Sequence, residues 1–175
     1  MAPTRWLERR DALTWRHYLF GFSGRINRAP YWLAIPVALG FVLVGVAIAI
    51  PYIAIEHPTT ADRSHGISAL GIATIAAEGL LVVAYFVFAI AIAVKRLHDR
   101  NRSAWWLIPF AIMPQAIQVL ADPRVGQKVH MPEVAVLILS LISLGLSLWA
   151  FVELGCLRGT VGENRYGPDP LAGRI

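Results

Sequence analysis

Long apolar runs alternate with short polar segments along this chain. Residues 32–55, 69–94 and 134–154 are almost uninterrupted in their apolar character. An α-helix needs about 20 apolar residues to cross the roughly 30 Å of hydrocarbon in a bilayer. Each of these three runs is therefore predicted to form a transmembrane helix.

A fourth apolar run, residues 105–121, is shorter and contains Pro109 and Pro114. At about 1.5 Å per residue its helix reaches about 25 Å, and proline removes backbone donors from a helix interior. Neighbouring helices or water can satisfy the carbonyls that proline frees. The pattern predicts an all-α membrane protein, a four-transmembrane-helix bundle whose third helix is short and kinked at proline.

Composition places the chain in the membrane class. Its residues are 57% hydrophobic and 15% charged, whereas soluble domains average about 25% charged. The mean hydropathy is +0.57 and the pI is near 9.9. No aromatic-basic module or zinc pattern accompanies the basic balance, so nucleic acid is not an expected partner. Cys156 is the only cysteine, which excludes an internal disulfide and a cysteine-based metal cluster, and no cofactor is expected.

Basic residues are distributed unevenly between the two sides of the predicted membrane domain. Of the 16 lysines and arginines, only Arg63, Arg124 and Lys128 lie in the loops after the first and third runs. Cytoplasmic segments retain the excess of Lys and Arg. Both termini are therefore predicted to be cytoplasmic, with a basic and aromatic segment at 1–31, the transmembrane domain at 32–154, and an ordered turn segment at 155–175.

The ionisable residues inside the predicted spans are Glu78 and Glu153, the latter in the last turn of the fourth span. The candidates for a polar function within the membrane are Glu78, Gln115 and Gln118. Glu78 lies about 25 Å along its helix from Lys95, near the outer interface. Gln115 and Gln118 share a helical face at i,i+3 and can bond to a neighbouring helix. Ionisable groups within a membrane are candidates for function. These residues support one functional hypothesis, a small-solute or ion transporter or channel that uses the helix bundle. It is the alternative to the leading prediction given below.

Three polar motifs lie on the predicted cytoplasmic side. Arginine binds phosphate or carboxylate bidentately, and anionic lipid headgroups are the nearest such ligands. We expect Asp99 to pair with an arginine, because neighbouring guanidinium groups stabilise an ionised carboxylate. Nine residues from the motifs are predicted to assemble into one anion-binding surface, the polar cap: Arg25, Asn27, Arg28, Arg96, His98, Asp99, Asn164, Arg165 and Asp169.

The three motifs occur in a fixed order along the chain. They are Gly24-Arg25-Ile26-Asn27-Arg28 with Tyr31-Trp32, Arg96-Leu97-His98-Asp99 with Ser103-Ala104-Trp105-Trp106, and Gly159-Thr160 with Gly162 and Asn164-Arg165-Tyr166-Gly167-Pro168-Asp169-Pro170. The motifs and their order resemble those of the DUF805 family of small bacterial inner-membrane proteins. The resemblance extends from about residue 15 to residue 170, although Ala104 replaces a glycine that is frequent in the family. It implies a bacterial cytoplasmic-membrane protein with few transmembrane helices, and it implies no catalytic residues.

The leading functional prediction is a non-enzymatic inner-membrane scaffold, sensor or accessory subunit. Its polar cap is expected to recognise anionic lipid or a membrane or cytoplasmic protein partner. The same residues can equally serve only to hold helix ends and loops together. A membrane enzyme using His98 and Asp99 is disfavoured, because sequence neighbours on a helix point in different directions and no nucleophile or metal set accompanies them.

Overall fold

The computed structural model describes residues 15–56, 68–122 and 131–172. Within these ranges the regular secondary structure is helical, residues 157–172 form turns, and there is no β-strand. The helices are α1 (Trp15–Phe20), α2 (Arg28–Glu56), α3 (Ala69–Asp99), α4 (Met113–Ala121) and α5 (Glu133–Phe151). Residues 1–14 of the predicted N-terminal segment, and most of the loops after the first and third apolar runs, lie outside the described residues.

Four helical stretches of the described chain are long and apolar enough to cross a membrane. They are Arg28–Ala54, Ala69–Asp99, Ala104–Ala121 and Glu133–Cys156. The prediction of an all-α membrane protein with four spanning helices is confirmed. The second span also continues as helix beyond Lys95, so the charged residues that follow the apolar run are held on the end of α3.

The third span is helical but irregular. A 3₁₀ turn at Ala104–Trp106 is followed by a π-helical segment at Ile108–Ile112 and then by α4. Pro109 lies in the π-helical segment and Pro114 in the first turn of α4. Local 3₁₀ and π adjustments accommodate proline within a membrane helix. The kink at proline stays a prediction.

The C-terminus of α3 is closed by a Schellman motif. The Arg102 N–H donates to the Leu97 carbonyl at 2.8 Å, and the Asn101 N–H donates to the His98 carbonyl at 3.0 Å. Asn101 has a φ of 57°, the left-handed conformation that this motif requires and that asparagine tolerates. The chain therefore turns sharply directly after Asp99, which fixes the position of that carboxylate.

The described chain divides into two units. The first contains Leu33–Ile92 and the residues up to Gly21, and the second contains Phe22–Trp32 and the chain from Ala93 onward. In the first unit, the Phe41 ring of α2 stacks on the Phe88 ring of α3 with centroids 5.6 Å apart. Aromatic burial of this kind joins the two helices.

The second unit has its own apolar core, formed by Leu97, Phe110, Ala150 and Leu154. Next to it, the Phe110 and Trp149 rings meet edge to face with centroids 5.0 Å apart. These contacts join the third span to α5 beneath the end of α3.

A polar contact also joins α4 to α5. Ser143 is buried, and its hydroxyl accepts a hydrogen bond from Gln118 Nε2 and donates one to the Pro114 carbonyl, both at 3.2 Å. The expectation that Gln118 can bond to a neighbouring helix is confirmed, while Gln115 is exposed.

Candidate functional site

Asp99 lies at the centre of the polar cap and is 2% exposed. Its Oδ1 accepts a hydrogen bond from Arg25 Nε at 3.2 Å, and its Oδ2 accepts one from Arg96 Nη1 at 2.5 Å. The predicted pairing of Asp99 with an arginine is confirmed, and two arginines take part. A buried carboxylate with two guanidinium partners is neutralised and hydrogen-bonded, as burial of its charge requires.

Arg25 uses its whole guanidinium group on protein acceptors. Beyond Asp99, its Nη1 donates to the carbonyls of Gly162 at 2.7 Å and Gly167 at 3.1 Å, and its Nη2 donates to the Thr160 carbonyl at 2.6 Å. The side chain is 1% exposed. Arg25 thereby binds the segment before α2 to the turn after the fourth span, and its five N–H groups match this fork of acceptors.

The fourth span ends in a run of five carbonyls that accept hydrogen bonds from side chains of other elements. A π-helical turn at Val152–Cys156 continues α5 and leaves these carbonyls without helical partners. The donors are Arg96 to Leu154 and Leu157, Trp32 to Gly155 at 3.1 Å, Arg28 to Cys156 at 3.0 Å, and Arg100 to Arg158. Arginine at a helix C-terminus also complements the helix dipole.

Glu153 forms a second ion-pair centre beside Asp99. It is 4% exposed, and its Oε1 accepts hydrogen bonds from Arg100 Nε at 3.1 Å and Arg102 Nε at 2.8 Å. The Arg102 guanidinium also lies 4.0 Å from the centroid of the Trp106 ring, a cation–π geometry. These contacts lock the loop after α3 onto the end of the fourth span.

His98 points away from Asp99. Its ring stacks on the Tyr166 ring with centroids 3.8 Å apart and planes 7° apart, and its Nδ1 lies 3.3 Å from the Gly24 carbonyl oxygen. The Arg165 guanidinium lies 4.7 Å from the centroid of the same Tyr166 ring. His98 and Asp99 thus have separate partners, and the geometry does not form an acid–base pair.

The other cap residues shape turns. Asn27 Oδ1 accepts the Ala29 N–H at 3.0 Å at the start of α2, and Asn164 Nδ2 donates to the His98 carbonyl at 2.9 Å. Asp169 accepts the N–H groups of Leu171 at 2.9 Å and Gly162 at 3.1 Å. These hydrogen bonds favour the carboxylate and lower the pKa of Asp169, and the bond from Leu171 has the larger effect.

A pocket of about 280 Å³ is lined partly by residues of the polar cap. Its lining includes Arg28, Asp99, Arg158 and Asp169. Arg28 and Arg158 are exposed. Arg158 is not among the nine residues predicted for the polar cap. Its position directly before Gly159-Thr160 in the third motif was a signal that could have identified it. Two exposed arginines and two aspartates therefore share the lining of one pocket.

The polar residues of the spans fall into different environments. Glu78 belongs to the first unit, and its Oε1 is buried without a hydrogen-bond partner among the described residues. Gln115 and Gln118 belong to the second unit. Across the described ranges, no group of three or more His, Cys, Asp or Glu side chains is placed to hold a metal ion.

The helices and the charged cluster at their ends define a small polytopic membrane protein. The chain belongs to the DUF805 family, described as proteins of unknown function, whose model matches residues 19–168. Three Escherichia coli (strain K12) relatives cover nearly the whole chain. They are Inner membrane protein YhaH (27% identical; 86% of this chain, 87% of the relative), Uncharacterized protein YiiR (32%; 90% and 90%) and Inner membrane protein YhaI (26%; 87% and 88%). No solved structure matches the chain significantly.

Proposed function

We propose that this protein is a non-enzymatic scaffold, sensor or accessory subunit of the inner membrane whose polar cap faces the cytoplasm and recognises anionic lipid headgroups. The positive-inside distribution of Lys and Arg supports the orientation. In this proposal, residues 1–31 and 155–175 are the cytoplasmic segments and residues 32–154 cross the membrane.

Arg28 and Arg158 carry the proposal. Among the arginines described in the second unit, Arg25 and Arg96 are buried and bonded to protein acceptors, and Arg100 and Arg102 share Glu153. Arg28 is exposed, lines the pocket, and donates from Nη1 to the Cys156 carbonyl. The cap can therefore offer guanidinium groups to a ligand without breaking its internal ion pairs.

The ligand class follows from the chemistry of the pocket. A phosphate oxygen accepts strong hydrogen bonds from guanidinium, and anionic headgroups lie at the level where the first and fourth spans leave the membrane. Two carboxylates also line the pocket: Asp99 is paired with Arg25 and Arg96, and Asp169 accepts the N–H groups of Gly162 and Leu171. Because both carboxylates already have partners, their repulsion of an anion is reduced. A membrane-anchored phosphate is thus the ligand that geometry and location favour together.

Lipid retention tests the proposal. The full chain is extracted with its native lipids into polymer discs, and retained lipids are quantified by mass spectrometry for the wild type, Arg28→Gln, Arg158→Gln and the control Arg16→Gln. Arg16 is an exposed arginine of α1. We expect anionic lipid to fall about fivefold for each cap variant, since one basic residue near an anionic surface contributes about 1 kcal/mol.

Two other outcomes have distinct meanings. Equal retention by all four proteins, with unchanged thermal stability, would remove lipid recognition and leave the cap as a clamp on helix ends. Loss of a co-purifying protein from Arg28→Gln and Arg158→Gln, with lipid unchanged, would replace the lipid by a protein partner.

A further inference from the structure

A buried carboxyl oxygen without a hydrogen-bond partner among the described residues lies in the first unit, away from the residues used above. Glu78 is in α3, and no described residue donates a hydrogen bond to its buried Oε1. A charge at the centre of a membrane span costs about 3 kcal/mol, and a charge nearer the interface costs less, but in both places a counter-charge lowers the cost. Glu78 therefore has the capacity for a partner of positive charge.

Space for such a partner adjoins the carboxyl. A groove of about 460 Å³ runs between α2 and α3 and is lined by Glu78 together with apolar and aromatic residues, among them Phe41, Gly45 and Tyr85. A Cβ placed at Gly45 would lie 3.3 Å from Glu78 Oε2 and 3.4 Å from Leu81 Cδ2. The glycine thus keeps the space in front of the carboxyl open.

The residues that line the groove indicate which class of ligand it can bind. Glu78 is the only charged residue among the described residues that line the groove, so an anion has no partner there. A cation attached to an apolar body satisfies the carboxylate and buries apolar surface at the same time. Phe41 and Tyr85 offer π faces that attract organic cations. The volume lies within the range of small-molecule sites, about 300 to 1,000 Å³.

We propose that the groove between α2 and α3 binds amphipathic organic cations, with the Glu78 carboxylate pairing with the positive charge and Phe41 and Tyr85 packing against the apolar body. This site is independent of the polar cap. It uses residues of the first unit only, and the anion proposal can fail without affecting it.

The test measures saturable binding of radiolabelled tetraphenylphosphonium, an apolar organic cation, to the full chain in phosphatidylcholine nanodiscs. Empty nanodiscs give the background, and uncharged triphenylphosphine oxide is the neutral competitor. The variants are Glu78→Gln, which removes the charge, and Gly45→Leu, which fills the groove. Their controls are Glu133→Gln, at an exposed glutamate that begins α5, and Gly40→Leu, where a Cβ meets nothing within 4 Å.

We expect Glu78→Gln and Gly45→Leu to weaken binding by about tenfold or more, as loss of a charged contact predicts, while both controls bind like the wild type. The neutral analogue should not compete. Wild-type affinity in Glu78→Gln, or no saturable binding above empty nanodiscs, overturns the proposal.

A measurement on the wild type keeps the proposal testable if Glu78→Gln is not monodisperse. Dicyclohexylcarbodiimide is an apolar reagent that modifies carboxyl groups in apolar surroundings, and the modified residue can be mapped by peptide mass spectrometry. Tetraphenylphosphonium should slow modification of Glu78 in a saturable manner. Modification at an unchanged rate over the full range of cation concentration counts against the site.

Discussion

Gly159 lies directly against the carboxylate of Asp99. A Cβ at residue 159 would overlap both carboxylate oxygens. The Thr160 N–H that follows donates to the Asp99 backbone carbonyl at 2.8 Å. The turn after the fourth span thus closes over Asp99 because residue 159 has no side chain.

Gly159→Ala is expected to destabilise the protein by about 2 kcal/mol or more, because overpacking a rigid contact costs about 1 to 3 kcal/mol and here also displaces an ion pair. The free energy of unfolding in detergent micelles, from titration with sodium dodecyl sulfate, measures the effect. Gly79→Ala is the control, since a Cβ there meets nothing within 4 Å, and it should be neutral or slightly stabilising. Equal stability of the two variants would contradict the close approach.

Asp99→Asn is expected to cost about 3 kcal/mol or more, since it leaves the buried charges of Arg25 and Arg96 without their counter-ion. Asparagine has nearly the same shape, so the loss reports charge and not volume. The same titration measures it, with Glu133→Gln as the control for removal of a carboxylate from an exposed position. A loss no larger than that of Glu133→Gln would show that the ion pairs contribute little.

Arg25→Lys tests the guanidinium fork. Lysine keeps the charge but has three donors on one atom, so it cannot reach the carbonyls of Thr160, Gly162 and Gly167 together. We expect a loss of about 2 kcal/mol, from buried acceptors left without donors. Faster cleavage after Glu163 by endoproteinase Glu-C should accompany it as the turn opens.

Arg16→Lys, at an exposed position of α1, is the matched control for Arg25→Lys and should be cleaved at the wild-type rate. If Arg25→Lys resists cleavage as well as Arg16→Lys does, the charge alone secures the turn.

The apolar runs were sufficient to predict the four spanning helices, because a lipid environment leaves few other structures for about 20 apolar residues. The pairing of Asp99 was also predictable, since one acid among several arginines near helix ends has few other stable states. The other contacts of the polar cap were harder to predict from the sequence. Arg25, Arg28 and Arg96 donate mainly to backbone carbonyls, and a carbonyl acceptor has no signature in the sequence.

The helix ends likewise include one that the sequence predicts and one that it does not. The left-handed Asn101 that ends α3 matches a known preference, whereas the π-helical turn at Val152–Cys156 has no such signal. That turn exposes the carbonyls that Arg96 and Trp32 bind. The geometry of the cap therefore depends on a local backbone feature that periodicity did not predict.

Asp169 makes the stability of the turn dependent on acid pH. Its hydrogen bonds with the N–H groups of Leu171 and Gly162 favour the carboxylate, with Arg25 and Arg158 contributing through their charge. The pKa in the folded protein is thus below the ordinary value of 3.8. A depressed pKa contributes stability that is present above the unfolded-state pKa and is lost as the pH falls through the folded-state pKa.

Asp169→Asn should therefore lose less thermal stability than the wild type between about pH 5 and about pH 3, because the variant has no carboxylate to protonate there. At neutral pH it should be less stable, because the two N–H groups point at different carboxylate oxygens and the amide NH2 that replaces one of them cannot accept a hydrogen bond. Thermal unfolding followed by circular dichroism at each pH measures both effects. Glu163→Gln, at an exposed carboxylate of the same turn, should follow the wild-type profile. Parallel pH profiles for the wild type and Asp169→Asn would show that protonation of Asp169 is not linked to folding.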